Sequence, residues 1–244
     1  MAPIGFSTGA LARGDFRRGL AMLEGEKADA VELSALRARE LGQLLAALTN
    51  HLGELRTRFK HVSLHAPTDC ADEASLVEQL RGAVEKGVCI VVHPDVIHDV
   101  SLWKTLGSSL WIENMDSRKP TGRTAAELRP LFERLPEARL CFDVGHARQV
   151  DSTMTEARRI VADFGDRLAQ VHMSEVSGKG EHFPMSLLAK RSFEGMAEVL
   201  ARVPVILEST VGEDGIAEEL AEAREVLSPG SQARRVRRDQ PSTK

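Results

Sequence analysis

The sequence predicts an α/β fold in which eight parallel strands, each followed by a helix, close into a single (β/α)8 barrel. Three observations predict this fold: eight short apolar runs recur along the chain, amphipathic segments lie between them, and the chain has 244 residues. Barrels of this kind typically need about 250 residues. The alternative, an open doubly wound sheet, is expected to carry a GxGxxG turn after an early strand, and the sequence contains none.

The eight predicted strands are short and rich in apolar and β-branched residues. In chain order they are IGFST at 4–8, AVELS at 30–34, VSLH at 62–65, VCIVVH at 88–93, LWIEN at 110–114, LCFDVGH at 140–146, LAQVH at 168–172 and VPVILES at 203–209. Several are apolar throughout instead of alternating, which is typical of parallel strands that are buried on both faces.

The amphipathic segments between these runs predict the helices. The clearest segments span 35–48, 73–85, 125–135 and 193–200. The residues expected to cap helices at their amino ends are Asp72, Asp95, Thr124 and either Thr153 or Thr155. No linker divides the chain, so we expect one barrel domain over 1–227, followed by a basic, disordered tail over 228–244.

Composition and charge limit the classes of function. The net charge is −4, and the tail holds five basic residues and one acidic residue, so the barrel itself is more acidic than the whole chain. Nucleic acid is therefore a disfavoured partner, because binding it depends on many Lys and Arg contacts with phosphates. The sequence has no membrane-spanning apolar run and no secretory signal, so we expect a cytoplasmic protein. The sequence leaves the oligomeric state open.

Acidic residues and histidines stand at the ends of the predicted strands. They are Glu32, His65, His93, Glu113, Asp143, His146, His172 and Glu208. The carboxyl ends of barrel strands meet at one face, where such side chains must be paired or bound to a metal. Imidazole and carboxylate are ligands for zinc, manganese or iron, so the pattern predicts a divalent-metal site. Glu32 suits a hydrogen-bonding role behind the ligands as well as a direct ligand role, and it is left outside the predicted ligand set.

The remaining histidines divide into two groups. His51, His61 and His98 lie in helical or pre-strand positions, where surface or capping roles are expected. His182 belongs to the loop SGKGEHFP at 177–184, whose glycines are typical of a mobile lid beside the seventh strand.

The set of motifs resembles the xylose isomerase-like TIM-barrel superfamily and, within it, most closely endonuclease IV, a family of zinc-dependent apurinic-site nucleases. The matching motifs are LHAP at 64–67, VVHPD at 91–95, WIENM at 111–115, FDVGHA at 142–147, VHMSE at 171–175, His182 in its loop and VILES at 205–209. Their order and spacing span almost the whole predicted barrel.

The resemblance implies a centre of two, or even three, metal ions. The implied ligands are His65, His93, Glu113, Asp143, His146, His172, His182 and Glu208. His65 and His93 would bind one ion, and Glu113 would bridge it to a second ion held by the ligands of the last three strands. His146 and His182 would bind the third ion.

Two positions depart from the nuclease pattern. Gly180 stands where the family has an aspartate ligand for the third ion, and Thr68 follows the HAP motif where an aromatic residue is common. The chain also contains no tyrosine. Together with the acidic barrel, these departures argue against abasic DNA as the substrate.

The leading functional hypothesis is a multinuclear, zinc-type hydrolase of a phosphate ester. Paired cations lower the pKa of a bridging water toward ~7 and neutralise charge on the phosphoryl oxygens. The alternative is a sugar or sugar-phosphate isomerase or epimerase with one Mn²⁺, Mg²⁺ or Zn²⁺ ion. Glu113 and Glu208 would then move a proton beside the substrate carbonyl, and His146 would contact a sugar hydroxyl. Both hypotheses expect a small phosphorylated or sugar substrate.

A second alternative is a noncatalytic metal-binding barrel that binds a partner through its basic tail. Structural metal sites are usually closed by four ligands that lie close together, whereas the residues predicted here surround an open barrel mouth.

Overall fold

The structure, a computed structural model, describes residues 2–228. The predicted tail lies outside the described residues except for Ser228. Among residues 2–228, no helix is both long enough and apolar enough to span a membrane.

Eight parallel strands close into a barrel, which confirms the predicted fold. Their order around the barrel is β1-β10-β7-β6-β5-β4-β3-β2, and every neighbouring pair is parallel. The barrel strands are β1 (Ile4–Ser7), β2 (Ala30–Ser34), β3 (His61–His65), β4 (Cys89–Val92), β5 (Leu110–Glu113), β6 (Arg139–Asp143), β7 (Leu168–Met173) and β10 (Val205–Leu207). Each of the eight predicted runs overlaps one of them.

A short antiparallel hairpin is inserted between β7 and β10. Its strands are β8 (Glu175–Val176) and β9 (His182–Phe183), with Val176 opposite His182. The segment predicted as a lid therefore includes the second strand of this hairpin.

Helices cover the outside of the barrel. They are α1 (Thr8–Ala12), α2 (Phe16–Met22), α3 (Ala38–Arg58), α4 (Glu73–Val84), α5 (Val100–Trp103), α6 (Ala125–Arg134), α7 (Val144–Val150), α8 (Thr155–Phe164), α9 (Leu187–Glu194), α10 (Ala197–Leu200) and α11 (Ile216–Val226). α3 extends beyond its predicted end because buried Leu52 and Leu55 continue its apolar face. The predicted segment 193–200 is divided between α9 and α10.

The predicted helix caps are partly correct. Asp72 caps α4 and Thr124 caps α6, each accepting a backbone N–H from the residue three positions later. The prediction for Asp95 is wrong: it lies in a 3₁₀ turn, and Asp99 caps α5 by accepting the backbone N–H of Ser101. Thr155 is the first residue of α8.

The interior of the barrel is distinct from the apolar layer between strands and helices. Val91, Trp111, Cys141 and Ala169 form a small apolar cluster of their own. His61 of β3 contacts Gln170 of β7, and these strands lie on opposite sides of the barrel, so the contact crosses its interior. TIM-barrel interiors are usually filled by branched aliphatic side chains. Part of this interior is instead polar.

Candidate metal centre

Four residues at the ends of consecutive strands form the centre of the site, which we call the four-residue cluster. Glu113 ends β5, Asp143 ends β6, His172 lies near the end of β7, and Glu208 directly follows β10. Each offers one ligand atom, and these atoms all lie within 4.8 Å of one another. Glu113, Asp143 and His172 are buried, whereas the side chain of Glu208 is 15% exposed and lines the cavity above the cluster.

The four-residue cluster fits a divalent cation. Within the described residues, Asp143 Oδ2 and His172 Nδ1 are buried without a hydrogen-bond partner. His172 Nδ1 lies 3.5 Å from Glu113 Oε1 and 3.6 Å from Glu208 Oε1. Buried polar atoms without partners need an explanation, and three buried carboxylates repel one another unless positive charge compensates them. A cation bound to these four side chains would account for both features.

The local fold at the start of α7 leaves Asp143 Oδ2 free for the cluster. Asp143 Oδ1 accepts the backbone N–H of His146 at 2.7 Å, so this oxygen caps the helix. Asn114 fixes the Asp143 backbone by accepting its N–H at 2.9 Å and donating to its carbonyl at 2.8 Å. Gly145 is required here because a Cβ would lie 2.4 Å from the Ser174 carbonyl oxygen.

Glu32 lies behind His172, so of its two predicted roles the structure places it in the hydrogen-bonding one. His172 Nε2 is 3.2 Å from Glu32 Oε2, which also accepts from Gln170 Nε2 at 2.6 Å and Ser63 Oγ at 3.2 Å. Burial raises the pKa of Glu32, but the positive charge of His172 outweighs it and lowers that pKa below its usual value. An ionised carboxylate can only accept, so Nε2 shares its proton with Glu32, and loss of the Nδ1 proton on metal binding would direct the Nδ1 lone pair at the cluster.

Two further groups of ligand-type residues overlap the four-residue cluster. The first is His65, His93 and Glu113. Glu113 Oε2 lies 3.1 Å from His65 Nε2 and 3.4 Å from His93 Nε2. His65 Nδ1 donates to the Ala66 carbonyl at 2.9 Å, which turns Nε2 toward Glu113.

The second overlapping group is Asp143, His146 and His182. His146 Nδ1 lies 3.2 Å from both Asp143 Oδ2 and Glu113 Oε1, and His182 Nδ1 lies 3.5 Å from Glu208 Oε2. The structure therefore brings all eight residues implied as metal ligands into one continuous site.

Two histidines of this site, His65 and His146, hold protons that offset the carboxylates. Burial lowers the pKa of His146, but the charges of Asp143 and Glu113 raise it overall to about 10. Burial likewise opposes protonation of His65, yet its hydrogen bond with Glu113 raises its pKa to about 9. Burial raises the pKa of Glu208 to about 7, whereas burial and His146 lower the pKa of His182 to about 4. A bound cation would displace some of these protons.

A cavity of about 270 Å³ opens above the cluster. Its wall includes Ser7, Ser34, His65, His93, Glu113, Asp116, Arg118, Lys119, His146, His182, Glu208 and Thr210. The cavity is large enough for a small polar molecule in contact with Glu208.

Sequence reasoning missed several residues that support the site. Asn114, Ser63 and Gln170 were not singled out, although Ser63 and Gln170 stand two positions before His65 and His172. Side chains two positions apart on a strand share a face, and this signal could have found them. The expectation for His61 is wrong: its Nε2 lies 2.7 Å from Gln170 Oε1, and its ring stacks on Trp111 with centroids 5.8 Å apart.

No protein-family model matches this chain, and no curated protein matches its sequence. Solved structures match its fold. D-psicose 3-epimerase, determined in the presence of D-fructose, has a TM-score of 0.61 and 15% identity over 92% of this chain and 99% of its own. The 3-keto-D-glucoside 4-epimerase of E. coli, in its apo form, has a TM-score of 0.55 and 16% identity over 92% of this chain and 99% of its own.

A third similar structure is a xylose isomerase-like TIM barrel protein from Mycobacterium smegmatis in complex with magnesium. Its TM-score is 0.58, with 12% identity over 93% of this chain and 98% of its own. At these identities the likeness establishes the fold alone, a (β/α)8 TIM barrel. The comparisons do not show the particular closeness to endonuclease IV that the motifs implied.

Proposed function

We propose that this chain is a divalent-metal-dependent isomerase or epimerase that acts on a sugar or sugar derivative. The observation that carries the proposal is the four-residue cluster, in which two carboxylates, Glu113 and Glu208, lie beside one imidazole at the bottom of an open cavity. The epimerases with a similar barrel support the same reaction class. The isomerase or epimerase hypothesis is therefore preferred to the phosphate-ester hydrolase hypothesis.

Glu113, Asp143, His172 and Glu208 would hold the ion. When bound, a divalent ion polarises a substrate carbonyl and so makes the neighbouring C–H more acidic. Three of the four ligands are carboxylates, which suit Mg²⁺ or Mn²⁺ better than the zinc favoured by the whole histidine-rich set. The barrel that was solved with magnesium is consistent with this choice.

The chain's own residues would move the proton. Glu208 reaches the cavity and removes the proton from the carbon beside the carbonyl. In an epimerisation, Glu113, having taken up a proton from solvent, returns it to the opposite face of that carbon, and Glu208 releases the abstracted proton to solvent. One C–H bond thus breaks, one forms and the sum formula is unchanged. His146 lines the same cavity and would donate a hydrogen bond to a substrate hydroxyl.

Exchange of substrate hydrogen with solvent tests this proposal. The full chain, loaded with Mn²⁺ or Mg²⁺, is incubated in D₂O with a panel of ketoses, aldoses and their phosphates. We expect deuterium to enter one substrate at the carbon beside the carbonyl, together with formation of an isomer or epimer. For substitutions of the site glutamates, the matched control is Glu198→Gln, because Glu198 is an exposed glutamate on α10. Absence of exchange and conversion across the panel would contradict the proposal.

A second candidate function, phosphate-ester hydrolysis, is favoured by one observation: His65 and His93 form another ligand group with Glu113. A single-metal isomerase does not require those two imidazoles as ligands. Metal analysis separates the two functions, since one ion per chain supports isomerisation and two or three support hydrolysis. Under the hydrolase hypothesis, the double variant His65→Ala, His93→Ala would lose an ion and its phosphodiesterase activity.

A further inference from the structure

Two adjacent cations line the cavity and take no part in the proposed proton transfer. Arg118 and Lys119 lie on the loop between β5 and α6, five and six positions after Glu113. The side chain of Arg118 is 48% exposed and that of Lys119 is 24% exposed. Both can therefore reach a molecule that enters the cavity.

Arg118 is held in one orientation by Asp116. The guanidinium donates from Nε and Nη2 to the two carboxylate oxygens of Asp116, at 2.9 Å each, and the Arg118 backbone N–H donates to Asp116 Oδ1 at 2.8 Å. Asp116 is only 1% exposed, so the buried acid fixes one edge of the guanidinium. Within the described residues Nη1 makes no hydrogen bond, and its two N–H groups remain for a ligand.

Gly180 of the β8–β9 hairpin packs against the same guanidinium. A Cβ at Gly180 would lie 1.8 Å from Arg118 Cζ, and the residue has a φ of +69°, so both space and backbone conformation favour glycine. The Arg118 guanidinium therefore occupies the space that a side chain at position 180 would enter.

Lys119 presents a second cation beside the first. Its Nζ donates to Asp95 Oδ2 at 2.8 Å, which is one of the three hydrogen bonds that an ammonium group can make. Asp95 also lies beside His93, with the Asp95 Oδ1 to His93 Nδ1 distance at 3.9 Å. The ammonium group is thus positioned at the cavity wall.

The cavity lacks the aromatic surface on which sugar rings often stack. Among the described residues that line it, none is phenylalanine, tryptophan or tyrosine. Affinity for a substrate must then come from hydrogen bonds and charge rather than from ring stacking.

We propose that Arg118 and Lys119 bind an anionic group of the substrate, a phosphate or a carboxylate, while the four-residue cluster holds the reacting end. The proposal rests on the proposed function for the identity of that reacting end. Arg118 keeps Asp116 on the edge formed by Nε and Nη2, and Nη2 also donates to the Gly180 carbonyl at 3.5 Å, so the two N–H groups of Nη1 are the donors left for an anion. The substrate is accordingly an acidic sugar derivative, either a sugar phosphate or a sugar acid.

Anion binding by the metal-loaded full chain tests the proposal. Isothermal titration with inorganic phosphate and with gluconate compares wild type with the double variant Arg118→Gln, Lys119→Gln. We expect one of the two anions to bind wild type and to bind the double variant at least about tenfold more weakly, the effect of losing charged hydrogen bonds. The anion that binds identifies the substrate's charged group.

Arg123→Gln is the matched control. Arg123 lies on the same loop and pairs with Glu127 much as Arg118 pairs with Asp116, but it does not line the cavity. The Arg123→Gln variant should bind the anion with the same affinity as wild type. Arg118→Lys keeps a positive charge beside Asp116 and tests the same point if the double variant fails to fold, since it should also weaken binding.

The outcomes separate this proposal from the proposed function. Equal anion binding by wild type and Arg118→Lys, or no binding of either anion by wild type, would overturn the anion site. Turnover of a neutral sugar that is unaffected by Arg118→Lys would overturn it too and leave the isomerase proposal intact. Conversely, weakened anion binding without turnover of any sugar would support the anion site and contradict the isomerase proposal.

Discussion

Glu208 differs from the other members of the four-residue cluster because its side chain is 15% exposed, whereas theirs are buried. We expect Glu208→Gln to lower the rate of deuterium exchange by about a hundredfold or more, because a general base contributes roughly this much to proton transfer. The fold should persist, since the replacement has almost the same volume. Solvent-exchange NMR measures the rate, and circular dichroism checks the fold. An unchanged rate would contradict the role of Glu208 as the general base.

Glu32 should determine metal affinity without touching the ion. Glu32→Gln weakens the acceptor for His172 Nε2, and replacing such outer partners typically costs about 10–100-fold in metal affinity. Titration of metal-free protein with Mn²⁺ measures the effect. The control is Glu219→Gln: this buried glutamate accepts hydrogen bonds from Ser209 and Met185 and is not part of the metal site. Equal affinities in the two variants would contradict the role of Glu32.

The affinity for the metal should rise with pH. In the metal-free protein burial raises the pKa of Glu208 to about 7, and nearby carboxylates raise the pKa values of His65 and His146 to about 9 and about 10. Each of these groups carries a proton below its pKa. A bound cation requires Glu208 to lose its proton and disfavours the protons on the nearby His65 and His146. We expect the Kd for Mn²⁺ to fall between pH 6 and pH 8 as Glu208 ionises, with protons released on binding. Calorimetry in buffers of different ionisation enthalpy measures that release, and a pH-independent Kd would contradict the prediction.

At the scale of elements, the junction of β6 and α7 combines structure with the site. Gly145 lies between Asp143 and His146, and a side chain there would meet the Ser174 carbonyl. We expect Gly145→Ala to destabilise the protein by about 1–3 kcal/mol, the usual cost of overpacking. It should also weaken metal binding, because relief of the contact displaces Asp143.

Gly82 provides the comparison for this substitution. It lies within α4, and an added Cβ would meet nothing within 4 Å. Gly82→Ala should therefore stabilise the protein by about 0.4–1 kcal/mol. Urea unfolding of both variants tests the contrast, and destabilisation of equal size in the two would contradict the argument from Gly145.

The elements were predictable to different extents. The barrel strands could be predicted because each is a short apolar run, and seven of the eight runs carry an acidic or imidazole side chain at or near their end, as in LWIEN and LAQVH. The end of α3 was misjudged although Leu52 and Leu55 continue the spacing set by Leu48, because the polar residues between them masked the pattern. The division between α9 and α10 depends on a backbone turn at Gly195 that periodicity does not reveal.

The site residues at strand ends could be predicted from the sequence, whereas contacts between residues of two different loops could not. Seven of the eight predicted ligand residues come together because they stand at or just after the carboxyl ends of parallel strands, which share one face, and the eighth, His182, is supplied by the β8–β9 hairpin. The contact of Arg118 with Gly180 could not be foreseen, since these residues are 62 positions apart and belong to two irregular loops. Only the folded arrangement brings that guanidinium to the cavity.

At the scale of the whole molecule, metal binding and folding should be coupled. The four-residue cluster draws its ligands from four different strands, so an ion bound to it connects half of the barrel. At a free metal concentration 100 times the Kd, we expect a stabilisation of about 2.7 kcal/mol. Differential scanning calorimetry before and after chelation tests this coupling, and an unchanged melting temperature would contradict it.

The polar interior makes the two ends of this barrel interdependent. β3 places His61, Ser63 and His65 at alternate inward positions, and Gln170 joins the first two across the barrel. Replacing His61, Ser63 and Gln170 with valine or isoleucine, as in most barrels, would remove the hydrogen bonds that Ser63 and Gln170 donate to Glu32. Glu32 would then hold His172 less firmly. In this molecule, substitutions in the barrel interior that aim at stability would therefore also alter the metal site at the carboxyl ends of the strands.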